Sequence, residues 1–388
     1  MSGLPRMRHW MRTFGNGVLC AAALSCLWAQ PAQSREAAPA ACPAPIRMSA
    51  QAAAPVTLRF VGDIVLANAH VMKTIPSEWD SLYFAAVAGY LRGADASIGN
   101  LEGTLTDHAV ATKAAGSYAF RSPPRYAALL RGAGFRVLNL ANNHSNDFGP
   151  TGYADTLQAL REAGVLAAGV KGQAAMLDVK GLKVAVLGFG FDPGQDTVQD
   201  LDNARRLVRS ARERAQVVVV SFHSGAKGAD ALLHPDADER LRGENRGNAV
   251  AFARAAIDSG ADMVVGHGPH VLRSIECYRG RPIFYSLGNF VGVGGLSIGG
   301  LAAVTAIAGV QLGEQGQLQG IEFLPVAFDR NRIPRPDDRE FGAHLVNWAG
   351  AHPRYPGQFL QVPADPATRP AFETWLAPFR PASSEVSP

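Results

Sequence analysis

Several features that would mark a membrane protein, a nucleic-acid binder or a cysteine-stapled scaffold are missing from this sequence. Past the N-terminus, no stretch of the 388 residues is both apolar enough and long enough to span a bilayer, so any membrane contact is confined to the start of the chain. Excess positive charge is scarce as well. The pI of about 8.9 suggests an anion-seeking surface, but Arg6, Arg8 and Arg12 lie in a leader-like start that contains no acid. Taking those three away lowers the formal charge from +4 to +1, which argues against binding driven by neutralising nucleic-acid phosphates. There are four cysteines, and Cys20 and Cys26 sit inside the N-terminal apolar run. Ala23-Leu24-Ser25 before Cys26 is a poor match to a lipidation box, which argues against a lipid anchor. The sequence has no internal repeat.

What is present at the start reads as export machinery. A positive segment through Arg12 precedes an apolar run from Val18 to Ala29, and Ala32-Gln33-Ser34 forms a small-x-small cleavage site. Residues 1–34 are therefore expected to be a signal peptide, with an uncleaved anchor as the alternative, and the protein to be exported to the periplasm or cell envelope. Cleavage leaves Cys42 and Cys277. An even pair in an oxidising compartment fits a disulfide tying the N-terminal segment to the domain, and fits two unrelated thiols equally well. Residues 35–55, rich in Ala, Pro, Gln and Ser, read as a flexible tether. One large α/β domain is expected over 56–328, followed by a C-terminal extension over 329–388 that is partly disordered.

Within the domain, hydrophobic periodicity predicts strands at Val56 to Val61, Ala94 to Ile98, Arg136 to Leu140, Gln216 to Phe222 and Asp262 to Val265. Further strands are expected at Pro282 to Leu287 and Leu301 to Leu312. Lys180-Gly181 joins a hairpin, and helices are expected over Thr151 to Ala163 and Ala249 to Ser259. Just past the ends of the first five strands stand Asp63, Glu102, Asn143, His223, and the pair His267 and His270. In open α/β sheets such ends converge on one crevice. Two carboxylates, an amide oxygen and three imidazoles form a mixed oxygen and nitrogen set that suits manganese, zinc or iron better than calcium.

Taken singly, these residues have plainer explanations. An aspartate after glycine is usually a turn former, Glu102 could equally be a solvated loop carboxylate, and Asn142-Asn143 could form a left-handed turn. A lone histidine after a strand is more often hydrogen-bonded structure than a ligand. Two imidazoles three residues apart around Gly268-Pro269 are a stronger signal. The argument rests on their joint occurrence at strand ends.

Gly62-Asp63, Asn100-Leu101-Glu102, Ala141-Asn142-Asn143-His144, His223-x-Gly225, Gly266-His267-x-Pro269-His270 and Tyr285-Ser286-Leu287-Gly288-Asn289-Phe290 follow one another in the order and spacing of the CapA family of poly-γ-glutamate capsule biosynthesis proteins. That family resembles the calcineurin-like metallophosphoesterases. The resemblance covers about Val56 to Phe328. It implies a sandwich of two mixed β-sheets flanked by helices, holding one or two divalent ions. Glu102 resembles the bridging carboxylate, with Asn143, His223 and His267 completing one ion and Asp63 and His270 holding the other. His144 resembles a general acid rather than a ligand. Two departures stand out: Val65 occupies the position where phosphoesterases carry a further histidine, and Ser224-Gly225-Ala226-Lys227 replaces the commoner Trp-Gly-x-Glu-Tyr after His223. The first leaves the second ion short of a ligand.

The resemblance implies a hydrolase or transferase acting on an anionic envelope or capsule substrate, with envelope biosynthesis proteins as partners. The opposing expectation is a scaffold that binds metal and anion without turnover. Asp147 is placed to orient His144, or else to cap the helix that follows. Arg121 suits a two-pronged grip on carboxylate or phosphate, and Lys227, Arg246 and Asn289 are the other candidate substrate contacts.

Overall fold

In the computed structural model the strand Val217–His223 is buried along its whole length, which explains its four consecutive valines. Val217 and Val219 join one core cluster, whereas Val218, Val220 and Phe222 join another on the opposite face. A strand covered on both sides selects β-branched residues at every position, each contributing roughly 1.5–3 kcal/mol by its burial. The described residues are 41–51, 54–68, 82–113, 118–293, 295–352 and 357–380. The expected signal segment 1–34 and the last residues from Pro381 lie outside them.

Two mixed sheets face each other. Among the described residues, one has six strands, in the order Ile275–Tyr278, Arg281–Phe284, Met263–His267, Val217–His223, Leu182–Phe189 and Ala175–Val179. Its inner strands are parallel and the two outermost pairings antiparallel. The main path of the other runs Pro45–Arg47, Leu318–Phe328, Val304–Leu312, Val56–Ile64, Ala96–Leu101, Phe135–Asn139 and Leu166–Ala168. Asn289–Val291 pairs with Val56–Ile64, and Pro334–Pro336 with Leu318–Phe328. Leu58, Phe60 and Val137 from one sheet share a core with Val184, Val219 and Phe284 from the other. Helices cover the outer faces: Tyr126–Ala133 and Gly149–Glu162 on one side, Leu201–Arg212 and Ala249–Asp258 on the other. This is the helix-flanked sandwich of two mixed sheets that the sequence led us to expect.

The sheets approach closely at one end. A Cβ on Gly188 would stand 2.1 Å from the Asn139 side chain of the opposing sheet, and a Cβ on Gly62 would stand 2.0 Å from the Gly288 carbonyl. Only glycine fits either place, so the backbone just before Asp63 lies against the loop that leads to Asn289.

Two expectations need correction. The tether over 35–55 is not structureless throughout, because Pro45–Arg47 pairs in parallel with Leu318–Phe328 and Met48 is buried. Cys42 is disulfide-bonded to Cys277 across a Cα separation of 5.9 Å, and Arg47 pairs with Glu340. A three-residue strand carries no readable period, and its partner lies far along the chain. The C-terminal extension, judged by its Arg- and Pro-rich text, holds two helices, Phe341–Gly350 and Arg369–Leu376. Phe341, Leu345, Val346, Phe372 and Leu376 enter the core shared by the two sheets. No helix among the described residues is long and apolar enough to cross a membrane.

Candidate metal centre

Strand register brings the candidate ligands side by side. His223 and His267 are direct partners across parallel strands of one sheet. In the other sheet Asp63 lies opposite both Asn100 and Asn289, and Asn100 lies opposite Asn139. The amide of Asn100 locks this row: its Nδ2 donates to Asp63 Oδ1 at 2.8 Å, and its Oδ1 accepts from Asn139 and Asn142, each at 3.1 Å. Asn100 stands in one of the motifs of the sequence, but nothing there reveals that it holds Asp63.

Asp63 and Glu102 sit within reach of every imidazole in the group. Asp63 Oδ2 is 3.0 Å from His270 Nδ1, while its Oδ1 is 3.5 Å from His267 Nδ1 and 3.7 Å from His223 Nδ1. Glu102 Oε1 is 3.7 Å from both His144 Nε2 and His270 Nε2, and 3.8 Å from His223 Nε2. One donor atom from each of Asp63, Glu102 and His270 fits within 4.8 Å of the others. His270 occupies the left-handed region at φ 60°, a conformation a non-glycine residue rarely adopts. Asn289 fixes its ring, since Asn289 Oδ1 lies 2.8 Å from His270 Nδ1 and its Nδ2 donates to the Ser297 carbonyl at 2.8 Å. Asn289, expected as a substrate contact, is thus engaged as a positioning residue.

The fit to a divalent cation can be judged from unpaired atoms. Both Glu102 oxygens, Asn143 Oδ1, His223 Nε2, His267 Nδ1 and His270 Nε2 are buried without a hydrogen-bond partner among the described residues. Leaving a buried polar atom unpaired costs roughly 1–3 kcal/mol, and more when it is charged. Five of these, on Glu102 and the three histidines, stand around Asp63 and cost roughly 5–15 kcal/mol, as much as the ~5–15 kcal/mol net stability of a whole domain. A cation accepting lone pairs removes that cost, and the donor set suits manganese, zinc or iron. Val65 supplies no donor and packs with Phe120 and Leu296 in a small apolar cluster.

Electrostatics favour the protonation state a cation needs. Burial pushes the Asp63 carboxyl upward, yet contacts with His223, His267 and His270 hold it well below the usual carboxylate range. Burial likewise pushes Glu102 up, and the neighbouring charge of His270 contributes to bringing it below its ordinary value. His223 is lowered, mainly by burial, despite its contact with Asp63. Ionised Asp63 and Glu102 and a His223 biased toward its neutral form are ready to bind metal without first releasing protons.

His144 sits beside the group. Its Nδ1 faces Asp147 Oδ2 at 2.8 Å and Lys113 Nζ at 2.9 Å, and Lys113 also pairs with Asp147 at 2.6 Å. Asp147 also accepts the Phe120 N–H at 2.7 Å, and its side chain gives no cap to the helix that starts at Gly149. Lys113 had no sequence signal. Lys227 lines a cavity of about 600 Å³ with His144, His270, Tyr118, Phe120 and Arg332. Arg246 stacks 4.3 Å over Phe191, pairs with Glu244, and leaves its buried Nη1 without a partner. Arg121 departs from its expected role. Its guanidinium donates to the carbonyls of Asp107 and His108 at 3.0 and 2.8 Å and packs over Phe148, holding a loop rather than reaching for a ligand.

Comparison with known proteins adds descent to this geometry. The chain is 33% identical over 259 residues to the capsule biosynthesis protein CapA of Bacillus anthracis, covering 61% of this chain and 59% of the relative. It is 32% identical over 249 residues to the PGA biosynthesis protein CapA of Bacillus subtilis, covering 60% and 62%. The chain thus spans about three-fifths of the length of these relatives. Among solved structures, a putative 5'-nucleotidase from Staphylococcus aureus superposes at a TM-score of 0.42 with 14% identity, over 76% of this chain and 59% of that one, too loosely to bear on function. Residues 57–293 match the family described as bacterial capsule synthesis protein PGA_cap, and the chain belongs to that family.

Proposed function

We propose that this chain is an exported, metal-dependent hydrolase or transferase, phosphoesterase-like in its chemistry, acting on an anionic envelope or capsule substrate of the poly-γ-glutamate type. The observation that carries this reading is the convergence of five buried, unpartnered donor atoms from Glu102, His223, His267 and His270 beside ionised Asp63, with the unpaired Asn143 Oδ1 a further candidate ligand. Those residues would hold one divalent ion or two, with Asp63 and His270 on the side left short by Val65. When bound, such an ion polarises a phosphoryl or carbonyl oxygen and makes water acidic enough to ionise near neutral pH.

The chain's own residues supply the rest. In the imidazolium, His144 Nδ1–H donates to Asp147, so the Nε2–H on the Glu102 side is the proton available to a leaving group. Asp147 supports the imidazolium, while burial lowers the His144 pKa and makes that imidazolium a stronger acid. Lys227 has no hydrogen-bond or ion-pair partner among the described residues and offers its ammonium to an anionic group in the cavity. The printed names of the Bacillus relatives support a capsule-related substrate. The Cys42–Cys277 disulfide supports export, since such bonds persist in oxidising compartments.

Val65 favours a second reading, a scaffold that binds metal and anion without turnover. Assays of the manganese-loaded protein on bis-p-nitrophenyl phosphate and p-nitrophenyl phosphate, beside His144→Ala, separate the two. Hydrolysis that falls ~10²–10⁴-fold in the variant with metal content unchanged is the expected result. Bound metal with no hydrolysis of either ester points to the scaffold, and no metal by elemental analysis removes both.

A further inference from the structure

The cavity over the metal centre has a neighbour at Lys227 and His270. A second cavity of about 350 Å³ lies against the same residues, and the two lobes have Lys227, His270, Leu296 and Ser297 as a shared wall. Beyond that wall the lining changes character. Gly228, Ala229, Val271, Leu301, Ala302 and Phe379 face the lobe together with Gly299 and Gly300, and not one carries a polar side chain. The first lobe, by contrast, holds His144 and Arg332. Lys227 therefore stands between a chamber that carries His144 and Arg332 and one whose unshared wall has no polar side chain.

Apart from Gly228, Ala229 and Val271, the second lobe's unshared wall follows Val293, where the family match ends. Phe379, brought from the end of the chain, closes it over Gly300. A Cβ on Gly300, which has φ 57°, would stand 3.0 Å from the Phe379 ring, so glycine there lets the aromatic wall seat.

We infer that the apolar lobe is a substrate subsite that takes a hydrocarbon stretch attached to an anionic centre, with the anion held at Lys227 and the metal centre. The inference rests on the metal-and-anion reading of the neighbouring site and adds the ligand class: an amphiphilic anion carrying several methylenes rather than a compact phosphate or carboxylate. The shared wall decides the occupant, because a chain leaving an anion at Lys227 for the second lobe meets, apart from the shared His270 and Ser297, only hydrocarbon and backbone.

Binding of methyl-, butyl- and hexylphosphonate to the manganese-loaded full chain, followed by calorimetry, tests it without requiring turnover. Transfer of each methylene into an apolar lobe should tighten binding about three- to four-fold until the lobe is filled. Phe379→Ala should weaken that dependence, and Ala229→Phe, which fills the lobe from an exposed position, should abolish it. Both variants should leave methylphosphonate affinity and metal content unchanged. Methylphosphonate binding with no gain along the series, or a gain that survives Ala229→Phe, overturns the subsite while leaving the metal-and-anion reading standing. Failure of every phosphonate to bind overturns both.

Discussion

Glu102 offers the sharpest test of the metal centre, because its two carboxylate oxygens are buried without a hydrogen-bond partner among the described residues and its Oε1 stands within 3.8 Å of Nε2 on three histidines. Glu102→Gln keeps the shape and removes the charge. In metal-free protein the substitution should cost little, since it removes a buried anion that lacks hydrogen bonds together with that anion's attraction to the neighbouring His270. With manganese the order should reverse. At a concentration about a hundred times Kd, wild-type protein gains ~2.7 kcal/mol, a rise of about 5 °C or more in Tm at ~2–4 °C per kcal/mol. Charges about 4 Å apart at an effective dielectric near 20 interact by ~4 kcal/mol, so losing the carboxylate should weaken the ion at least ~100-fold. At that same manganese concentration the variant should gain ~0.4 kcal/mol, about 1 °C. Differential scanning fluorimetry with and without chelator reads all four values. Equal manganese-induced shifts in both proteins, or a strongly destabilised metal-free variant, would refute the reasoning.

Three further expectations follow from the surroundings. Asn289→Ala removes the partner of His270 Nδ1 and should weaken metal affinity about 10–100-fold with the fold intact, as read by metal titration. With residues 1–34 removed, the protein should show no free thiol to Ellman's reagent until it is reduced, after which its stability should fall by ~2–4 kcal/mol in urea. His234 is held well below its usual pKa, first by burial and then by the charges of Arg273 and Arg254. The unfolded chain therefore takes up that proton first. The contribution is complete above about pH 6.5 and is lost as pH falls below it, at up to ~1.4 kcal/mol per unit, and His234→Phe should flatten that slope in urea titrations.

The parts of the fold that were legible in the sequence are those written locally. The four valines before His223, the glycine stops, the hairpin at Lys180-Gly181 and the ligand types at strand ends all stand within a few residues of one another. The amphipathic helix Leu201–Arg212, whose Asp200 side chain caps it, was equally local in its signals and went unread between two stronger strands. The C-terminal helices were hidden by their flanks, because Arg-, Asp- and Pro-rich neighbours diluted the apolar face of Phe341–Gly350.

By itself the sequence determined which chemistry this protein carries, because donor atoms are a property of residue type and their placement after strands is a property of local pattern. Only the tertiary structure decided what each polar group does with those atoms. Arg121 and Asn289 look like ligand contacts as text, yet their hydrogen bonds go to a loop and to a histidine ring. Asn100 and Lys113 gave no hint of their roles and hold Asp63 and His144. Hydrogen bonds depend on distances of about 3 Å between residues tens or hundreds apart in the chain. Those separations are fixed by sheet register and packing, which no local stretch of sequence contains.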